Sequence, residues 1–364
     1  MISVDDADRT GIDEAIAASM DRLGRRAGRL GDGAIALADA AAAAGADGKR
    51  ARPRMVVAAF RALTEPGAAR EDAQALPRAT DAAVWQVAAA FEILHTAFVV
   101  HDDLIDRDLE RRGIPNVAGR FRTRALAFGA RPEDATLVAD AAAVLAGDLL
   151  LFEASRLIAA ADVDAGVRTA LFDILDDAIL VSAAGELADV ENAARTDVPE
   201  TDELLGVAHD KTAAYSFEAP LLAGAALAHA PLDVRTHLAA AATDLGLAFQ
   251  LVDDLIGTFG TRGQAGRDPG ADLREAKRTP LIGLARRRQT WPQVRSALAL
   301  AHTGPVAVRR AQRELEASGA RDDVEVLVRE ALGRARSRAA SPELPAPAGA
   351  LLLRIATVIE ERIP

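Results

Sequence analysis

The stretch FEILHTAFVVHDDLIDRDLERR, residues Phe91 to Arg112, places an apolar run directly before a cluster of aspartates and two arginines. Its large apolar residues recur at helical spacing, which predicts a helix that continues into the first aspartates. On such a helix Asp102 and Asp106 share a face, and Asp103 lies beside them. Like charges at this spacing repel each other, and Mg²⁺ bound between carboxylates and substrate phosphates removes the repulsion. The alternative is an acidic helix face exposed to solvent.

A second acidic pair ends another apolar run, in FQLVDDLIG from Phe249 to Gly257. Asp253 and Asp254 are adjacent there, and Gln250 shares a helical face with Asp254. Two such pairs, far apart in the chain, favour a divalent-metal site over a solvent-exposed acidic surface.

Composition indicates an all-α protein. The chain has 364 residues, of which 50% are hydrophobic and 4% aromatic. Its apolar residues recur three and four apart almost throughout. No interior segment has the composition of a linker between domains, so we expect a single domain spanning residues 1–364. Residues 336–349, rich in Pro and Ala, are expected to form a spacer before a last helix.

Charge and composition also limit the partners. The net charge of −11 argues against nucleic acid, because binding to a phosphate backbone requires a basic surface. Disulfides are excluded because the chain has no cysteine, and the opening MISVDDADRT lacks the basic start and apolar core of a signal peptide. No apolar run of membrane-spanning length is without a charge. We therefore expect a cytoplasmic protein with no membrane span.

Only three of the 43 basic residues are lysines, namely Lys49, Lys211 and Lys277. An ammonium group contacts a phosphate oxygen as a compact point charge, which the planar guanidinium does not reproduce. We infer that these positions require lysine; the alternative is chance survival in an arginine-rich sequence. Lys49 also crowds with Arg50 and Arg52 in GKRARP, where a diphosphate would relieve the repulsion. A solvated basic loop is the alternative there.

Arginines follow the first aspartates within a short distance. Arg111 and Arg112 are close enough to hold a phosphate whose other oxygens contact the metal. The alternative is that they pair with Asp108 and Glu110 at the surface, where such pairs contribute little stability.

The Lys211–Thr212 pair offers one ammonium and one hydroxyl to an anion. The alternative is a helix-end charge beside Asp210. Glu186 and Asp189, on a predicted helix upstream, are expected to be structural more than catalytic.

Apolar periodicity and helix-end signals predict the other helices. They are expected over residues 12–30, 31–44, 135–158, 171–194, 234–258 and 351–361. Residues 117–134 are expected to form a mobile or partly helical connection that would suit a lid. Gly147, inside a predicted helix, indicates close packing against a neighbouring helix.

Several motifs, taken in their order along the chain, closely resemble those of the trans-isoprenyl diphosphate synthases. They are GKRARP, HDDLIDRDLERRG, the Lys-Thr pair, and FQLVDD followed by GADLREAKRT. This is the polyprenyl synthetase family, which includes geranylgeranyl and farnesyl diphosphate synthases. The resemblance covers about residues 45–285. It implies a single-domain helical bundle of the isoprenoid-synthase type around a deep central cavity, usually in a homodimer.

The resemblance also assigns roles to residues. Three Mg²⁺ ions are implied, two held by Asp102, Asp103 and Asp106 and the third by Asp253 with Asp254. The residues implied to bind the allylic diphosphate are Arg111, Lys211, Thr212, Gln250 and Lys277. Those implied to bind isopentenyl diphosphate are Lys49, Arg52, His95 and Arg112. The five aspartates and Lys211 are the implied catalytic residues.

The implied reaction begins with loss of diphosphate from the allylic substrate, which metal ions and basic residues assist. The double bond of isopentenyl diphosphate then attacks the allyl cation, while water is excluded. The residues one and two turns below the first aspartates, Leu94, Ala97 and Phe98, are expected to set the floor of the product channel. We expect a short product, geranylgeranyl diphosphate in the first place, with farnesyl and longer diphosphates as alternatives.

Two departures from the family pattern leave an alternative open. The second motif often reads DDxxD, and Gly257 stands at its last place; Glu186 stands where glutamine is common. Because Gln250 and Lys277 are retained, we favour an active enzyme over a non-catalytic subunit that serves a partner.

Other classes of enzyme fit the sequence less well. A metal phosphohydrolase could use His101 with Asp102, but the remaining histidines show no metal-ligand spacing. A class I terpene cyclase would have no use for GKRARP.

Overall fold

The structure, a computed structural model, describes residues 4–46, 48–65, 79–265 and 269–364. Within these ranges the chain forms α-helices, one π-helix, one 3₁₀-helix and two very short strands, which confirms the all-α prediction. Residues 1–3, 47, 66–78 and 266–268 of the predicted domain lie outside the described residues.

The described residues of the first half form seven helices and two strands. They are α1 (Asp6–Ala27), α2 (Asp32–Ala44), α3 (Ala51–Thr64), α4 (Asp81–Ile105), β1 (Glu110–Arg111), β2 (Ile114–Pro115), α5 (Val117–Ala127), α6 (Pro132–Ala159) and α7 (Ala165–Ala194). The two strands pair antiparallel, with Glu110 opposite Pro115.

The second half is helical in all its described elements. They are α8 (Thr201–Ala208), the π-helix (His209–Glu218), α9 (Ala219–Leu227), α10 (Leu232–Phe259), α11 (Arg262–Ala265), α12 (Ala271–Arg274), α13 (Pro280–Arg286), α14 (Trp291–Leu298), the 3₁₀-helix (Ala301–Thr303), α15 (Pro305–Ala317), α16 (Ala320–Ala339) and α17 (Ala346–Glu360).

Side-chain caps explain why some helices begin before the predicted residue. The carboxylate of Asp5 accepts a hydrogen bond from the Asp8 amide at 2.7 Å and begins α1. The carboxylate of Asp164 accepts one from the Val167 amide at 3.0 Å and begins α7. The predicted starts, residues 12 and 171, were the points where apolar periodicity becomes regular. A cap allows the polar residues before that point to be helical as well.

Two predicted connections are shorter than expected. The spacer predicted at 336–349 is wrong at both ends, because α16 continues to Ala339 and α17 already begins at Ala346. Only residues 340–345 connect them. The segment predicted as a connection at 117–134 is largely α5, whose first turn is capped by the side chain of Asn116. Of the two alternatives predicted for residues 117–134, a mobile or a partly helical connection, the structure supports the helical one.

Two helices carry the acidic motifs and organise the core. α4 packs against α1, α3 and α6 and is buried on most of its surface, with Phe91, Leu94 and Ala97 fully buried. α10 packs against the π-helix, α16 and α17. Lys277, which follows α10 in the chain, lies 4.0 Å from Asp106 at the end of α4. The polar ends of both helices therefore contribute to one site.

Three glycines allow helices to approach this site closely. A Cβ atom on Gly147 of α6 would overlap the His101 ring, lying 2.7 Å from Cε1 and closer to Nε2 and Cδ2, which confirms the predicted close packing there. A Cβ on Gly185 of α7 would lie 2.8 Å from Cα of Lys211, and one on Gly246 of α10 would lie 2.8 Å from Cα of Ala213. These last two glycines bring α7 and α10 against the π-helix.

By length and composition, α4 and α6 could each cross a membrane. In α4, 72% of the apolar window is buried within the protein, as in a core helix; in α6 the figure is 39%. This evidence for a membrane span is weak, because core helices pass the same test.

Candidate active site

The three aspartates at the end of α4 face two directions. Asp103 is buried and accepts hydrogen bonds from Arg111 Nη1 at 2.5 Å and from Asn116 Nδ2 at 3.2 Å. Asp102 instead faces Lys211 at 3.4 Å, and Asp106 faces Lys277 at 4.0 Å. The last turn of α4 therefore divides a lysine-lined side from an arginine-lined side.

Lys211 is surrounded by carboxylates. Its Nζ atom lies 2.8 Å from Asp189, 3.1 Å from Glu186 and 3.4 Å from Asp102. Burial alone would lower the pKa of Lys211, but the charges of Asp102, Asp189 and Glu186 outweigh it and raise that pKa. The ammonium thus stays protonated, and Glu186 and Asp189, which the sequence suggested were structural, contact a predicted catalytic residue.

A π-helix presents Lys211 and Thr212. It is confined between α7 and α10, which approach it at Gly185 and Gly246. Hydrogen bonds from residue i to i+5 characterise such segments, which are frequent at functional sites. The sequence predicted helical structure in this region but gave no sign of the π register.

The two aspartates of the second acidic pair, Asp253 and Asp254, differ in burial and in hydrogen-bond partner. Asp253 is exposed and accepts a hydrogen bond from Arg362 Nη2 at 2.9 Å, a partner 109 residues away in the chain. Asp254 is buried and accepts one from Gln250 Nε2 at 2.8 Å. Burial, and after it the charge of Asp272, raises the pKa of Asp254 well above its ordinary value. Gln250 is therefore placed to orient Asp254.

A cavity of about 550 Å³ lies on the arginine-lined side of α4. It contains every residue predicted to bind isopentenyl diphosphate, together with Arg111: the lining includes Lys49, Arg52, His95, Arg111 and Arg112. Arg50, which the sequence grouped with Lys49 and Arg52 around an anion, also lines the cavity, as do Arg120 and Arg362, which the sequence did not single out. Such a density of positive charge suits a multiply charged anion.

Tyr215, the one tyrosine of the chain, connects the predicted residues of the cavity. Its hydroxyl lies 3.3 Å from Arg52 Nη2 and 3.4 Å from His95 Nδ1, and the Arg52 guanidinium lies 4.8 Å from its ring centroid. Burial, and then the charges of the nearby arginines, lowers the pKa of His95 well below its ordinary value. The imidazole is thus neutral and can hydrogen-bond without adding charge. Sequence analysis did not identify Tyr215.

The residues predicted for the channel floor lie away from this cavity. Leu94 and Ala97 are fully buried in the core around α4. Phe98 packs edge-on against Tyr215, with ring centroids 4.9 Å apart. The cavity is lined instead by the face of α4 that carries His95 and Val99. The floor assignment stays a prediction.

The donor groups of the site fit Mg²⁺ shared with a diphosphate better than a metal held by protein alone. Among the described residues, no group of three acidic or histidine side chains is close enough to enclose an ion. The available donors are carboxylate oxygens, which hard cations prefer. Burial, and then the charge of Asp102, raises the pKa of Asp106, so these two carboxylates repel each other and a cation between them would be favourable.

Comparisons with known proteins agree with this geometry. A family model described as polyprenyl synthetase matches residues 36–315. A geranylgeranyl diphosphate synthase of Sulfolobus acidocaldarius is 36% identical over 197 residues, 53% of this chain and 54% of that protein. A (2E,6E)-farnesyl diphosphate synthase of Mycobacterium tuberculosis is 38% identical over 192 residues, 53% of this chain and 48% of that protein. The chain thus spans about half the length of these curated relatives.

A solved structure is similar over nearly the whole chain. It is the crystal structure of a geranylgeranyl pyrophosphate synthase from Corynebacterium glutamicum, complexed with isoprenyl diphosphate and magnesium. The TM-score is 0.87 at 25% identity, and the match covers 99% of each chain.

Proposed function

Since this chain belongs to the polyprenyl synthetase family, we propose that it is a prenyltransferase that condenses isopentenyl diphosphate with an allylic diphosphate. One observation carries the proposal: the end of α4 separates two cationic sites, each suited to one diphosphate. Lys211 and Lys277 lie on the side of Asp102 and Asp106, while Arg111 pairs with Asp103 at the basic cavity. A reaction between two diphosphates requires two such sites close together.

The allylic diphosphate is assigned to the lysine side. Lys211, Thr212, Lys277 and Gln250 would contact or orient it, with Arg111 reaching from the boundary between the two sites. An ammonium with three donors can exchange a carboxylate for a phosphate oxygen, and the crowding around Lys211 keeps it charged. These basic groups would stabilise the negative charge that develops as diphosphate leaves.

Magnesium is proposed at the carboxylates. Asp102, Asp103 and Asp106 would hold two ions, and Asp253 with Asp254 a third; the contact of Asp103 with Arg111 makes it the least exposed donor. When bound, Mg²⁺ would neutralise the leaving diphosphate. The Corynebacterium glutamicum protein, crystallised with magnesium and isoprenyl diphosphate, supports this assignment.

Isopentenyl diphosphate is assigned to the basic cavity. Lys49, Arg52 and Arg112 would bind its phosphates, and His95, neutral and hydrogen-bonded through Tyr215, would donate without adding charge. The substrate would then lie across the end of α4 from the allylic carbon. The apolar residues of α4 below the site would exclude water from the cation.

The proposed product is geranylgeranyl diphosphate, with farnesyl and longer diphosphates as alternatives. Support comes from relatives named for geranylgeranyl and for farnesyl diphosphate. The small Ala97, five residues before Asp102 on α4, is the position proposed to leave space. Phe98, supported by Tyr215, is the bulky residue proposed to limit chain length.

A homodimer is proposed from an exposed apolar face on α6 and α7. Large apolar side chains there are more than half exposed, namely Leu137, Leu145, Phe152, Leu180 and Leu187. Contiguous apolar surface of this kind marks interaction sites. A second copy of the chain is the partner that would cover it.

One domain over residues 1–364 is also proposed, since α17 packs against α3 and α10. Cytoplasmic location stays a prediction.

Incubation of the purified chain with Mg²⁺, isopentenyl diphosphate and each of the dimethylallyl, geranyl and farnesyl starters tests the function. We expect elongation, and the length of the product gives the chain-length class. Released phosphate without elongation would indicate a hydrolase, and a cyclic hydrocarbon a terpene cyclase. Absence of turnover would favour a non-catalytic subunit.

A further inference from the structure

A small exposed hairpin carries two of the arginines assigned to substrate, Arg111 and Arg112. Its strands, β1 and β2, contain two residues each, and every residue from 105 to 115 is exposed. Arg112 and Gly113 form the turn between them, with φ of 56° and 76°. Positive φ at both places is typical of a two-residue hairpin turn but uncommon for arginine. A hairpin of this size is at best marginally stable alone, so contacts outside it must position the arginines.

Asn116, the first residue after β2, makes such contacts with its side chain. Its Nδ2 atom donates to Oδ2 of Asp103 at 3.2 Å and to the carbonyl oxygen of Asp108 at 2.8 Å. Its Oδ1 atom accepts from the amide of Gly119 at 2.9 Å, which caps α5. The opposite orientation of the amide would place its oxygen against a carboxylate and a carbonyl, so these partners fix its orientation. One side chain thus joins the end of α4, the segment before β1 and the start of α5.

The backbone and Arg111 close the same junction. The amide of Asn116 donates to the carbonyl oxygen of Leu109 at 3.1 Å. A Cβ atom on Gly119 would overlap that carbonyl oxygen, so the absence of a side chain there allows α5 to approach the segment before β1. From the hairpin, Arg111 Nη1 donates to Oδ1 of Asp103 at 2.5 Å. The two oxygens of one buried carboxylate therefore hold the hairpin and the start of α5 together.

We propose that Asn116 is a positioning residue that holds Arg111 and Arg112 at the wall of the basic cavity, where isopentenyl diphosphate is proposed to bind. The inference rests on the proposed function, because it concerns the same cavity. All three residues line that cavity. Without the two hydrogen bonds from Nδ2, Arg111 would keep its ion pair, but the hairpin would lose its link to α5. Binding would then weaken because the arginines are no longer held in place, although no positive charge has been removed.

Calorimetric titration of isopentenyl diphosphate into the purified chain, without Mg²⁺, measures binding at the basic cavity independently of turnover. Asn116→Ser and Asn116→Asp each keep an oxygen that can cap α5, but neither supplies the two N–H donors of the amide. We expect each variant to bind about tenfold more weakly than the wild type, with a melting temperature within about 2 °C of it. Aspartate adds a negative charge and serine adds none, so a loss in both variants cannot be due to charge.

Thr80→Ala is the control for helix capping. The Thr80 hydroxyl oxygen accepts a hydrogen bond from the Ala83 amide at 3.2 Å and caps α4 at the end opposite Asp103. Its loss should lower the melting temperature and leave isopentenyl diphosphate binding unchanged. Wild-type affinity in the serine and aspartate variants of Asn116 would overturn the proposal. An equal loss of affinity in Thr80→Ala would also overturn it, because binding would then follow the stability of the helices.

Steady-state kinetics give a second measurement on the same variants. We expect the KM for isopentenyl diphosphate to rise about tenfold in both variants of Asn116, while kcat changes less than about threefold. A fall in kcat with an unchanged KM would contradict a role in positioning the arginines.

Elongation by the wild type separates this inference from the proposed function. If the wild type does not elongate but its affinity for isopentenyl diphosphate depends on Asn116, the proposed function fails and the role of Asn116 stands. If the wild type elongates and neither affinity nor KM depends on Asn116, only the inference fails. A wild type that neither elongates nor binds isopentenyl diphosphate would overturn both.

Discussion

Asp103 accepts a hydrogen bond from Arg111 at 2.5 Å on one side of α4, while its neighbour Asp102 faces Lys211 on the other side. Adjacent aspartates therefore act on different halves of the site. We expect Asp102→Asn to lower turnover about a hundredfold, because it removes a carboxylate from the metal side. Asp103→Asn should instead raise the KM for the allylic diphosphate, about tenfold, since Arg111, proposed to contact that diphosphate, loses its ion-pair partner. Steady-state kinetics with each substrate varied separate the two; equal losses in turnover alone would contradict the division.

Lys211 Nζ lies within 3.4 Å of carboxylates on two helices, those of Asp102 and Asp189, and a planar guanidinium would not reproduce the contacts of this compact ammonium. We expect Lys211→Arg and Lys277→Arg each to lower turnover about tenfold or more. Arg131→Lys, at an exposed ion pair with Asp134, is the control and should have no effect. Full activity in both lysine variants would mean that the distribution of lysines is due to chance.

The carboxylate of Glu186 accepts a hydrogen bond from Lys211 and takes one of its three ammonium donors, a donor that the proposed allylic diphosphate would also use. We expect Glu186→Gln to lower the KM for the allylic diphosphate about threefold, since a neutral amide holds the ammonium less strongly. Glu191→Gln, an exposed position on the same helix, should leave it unchanged. A higher KM in Glu186→Gln would show that Glu186 supports binding.

His95 couples stability to pH. Burial, and then the charges of Arg52, Arg111 and Arg112, lowers the pKa of His95 well below 6.5. As the pH falls below 6.5, the unfolded chain binds a proton at this residue and the folded chain does not. Stability is therefore full above that value and is lost on acidification by about 1.4 kcal/mol per pH unit, until the folded-state pKa is reached. Urea denaturation at pH 7.5 and 5.5 should show a smaller loss in His95→Gln than in the wild type; identical losses would contradict this.

Phe98 rests against Tyr215, and truncating it would leave a space beside α4 one turn before Asp102. We expect Phe98→Ala to shift the product to chains longer by one or more isoprene units, measured by chromatography of the dephosphorylated products. Phe128→Ala, at a largely exposed phenylalanine, is the control. An unchanged distribution in Phe98→Ala would place the channel floor elsewhere.

Local patterns were enough to predict the helices that carry the chemistry. Apolar periodicity placed the aspartates at the end of α4, and the structure extends that helix to Ile105. The grouping of Lys49, Arg52, His95 and Arg112 came from the resemblance to a family and not from spacing, yet all four line one cavity. The apolar periodicity of one segment does not show which distant segment it contacts.

The residues that sequence reasoning missed are those fixed by tertiary contacts. Tyr215 reaches Arg52 and His95 across the fold, Arg362 reaches Asp253, and Asp272 reaches Gly257. The π-helix is likewise a feature that depends on contacts between distant segments, because α7 and α10 pack against it. At Gly257 the sequence left two readings open, an active enzyme and a non-catalytic subunit, and gave no indication that Asp272 lies beside this glycine.

The π-helix also makes the proposed active site sensitive to the insertion or deletion of a residue. Within His209–Glu218 each backbone hydrogen bond spans one residue more than in an α-helix. Deleting a single residue would therefore favour the α-helical register and rotate the residues on one side of the deletion relative to those on the other. Lys211 would then turn away from its carboxylates although no side chain had been replaced. Insertions and deletions are consequently better tolerated at residues 340–345, between α16 and α17, than anywhere in this segment.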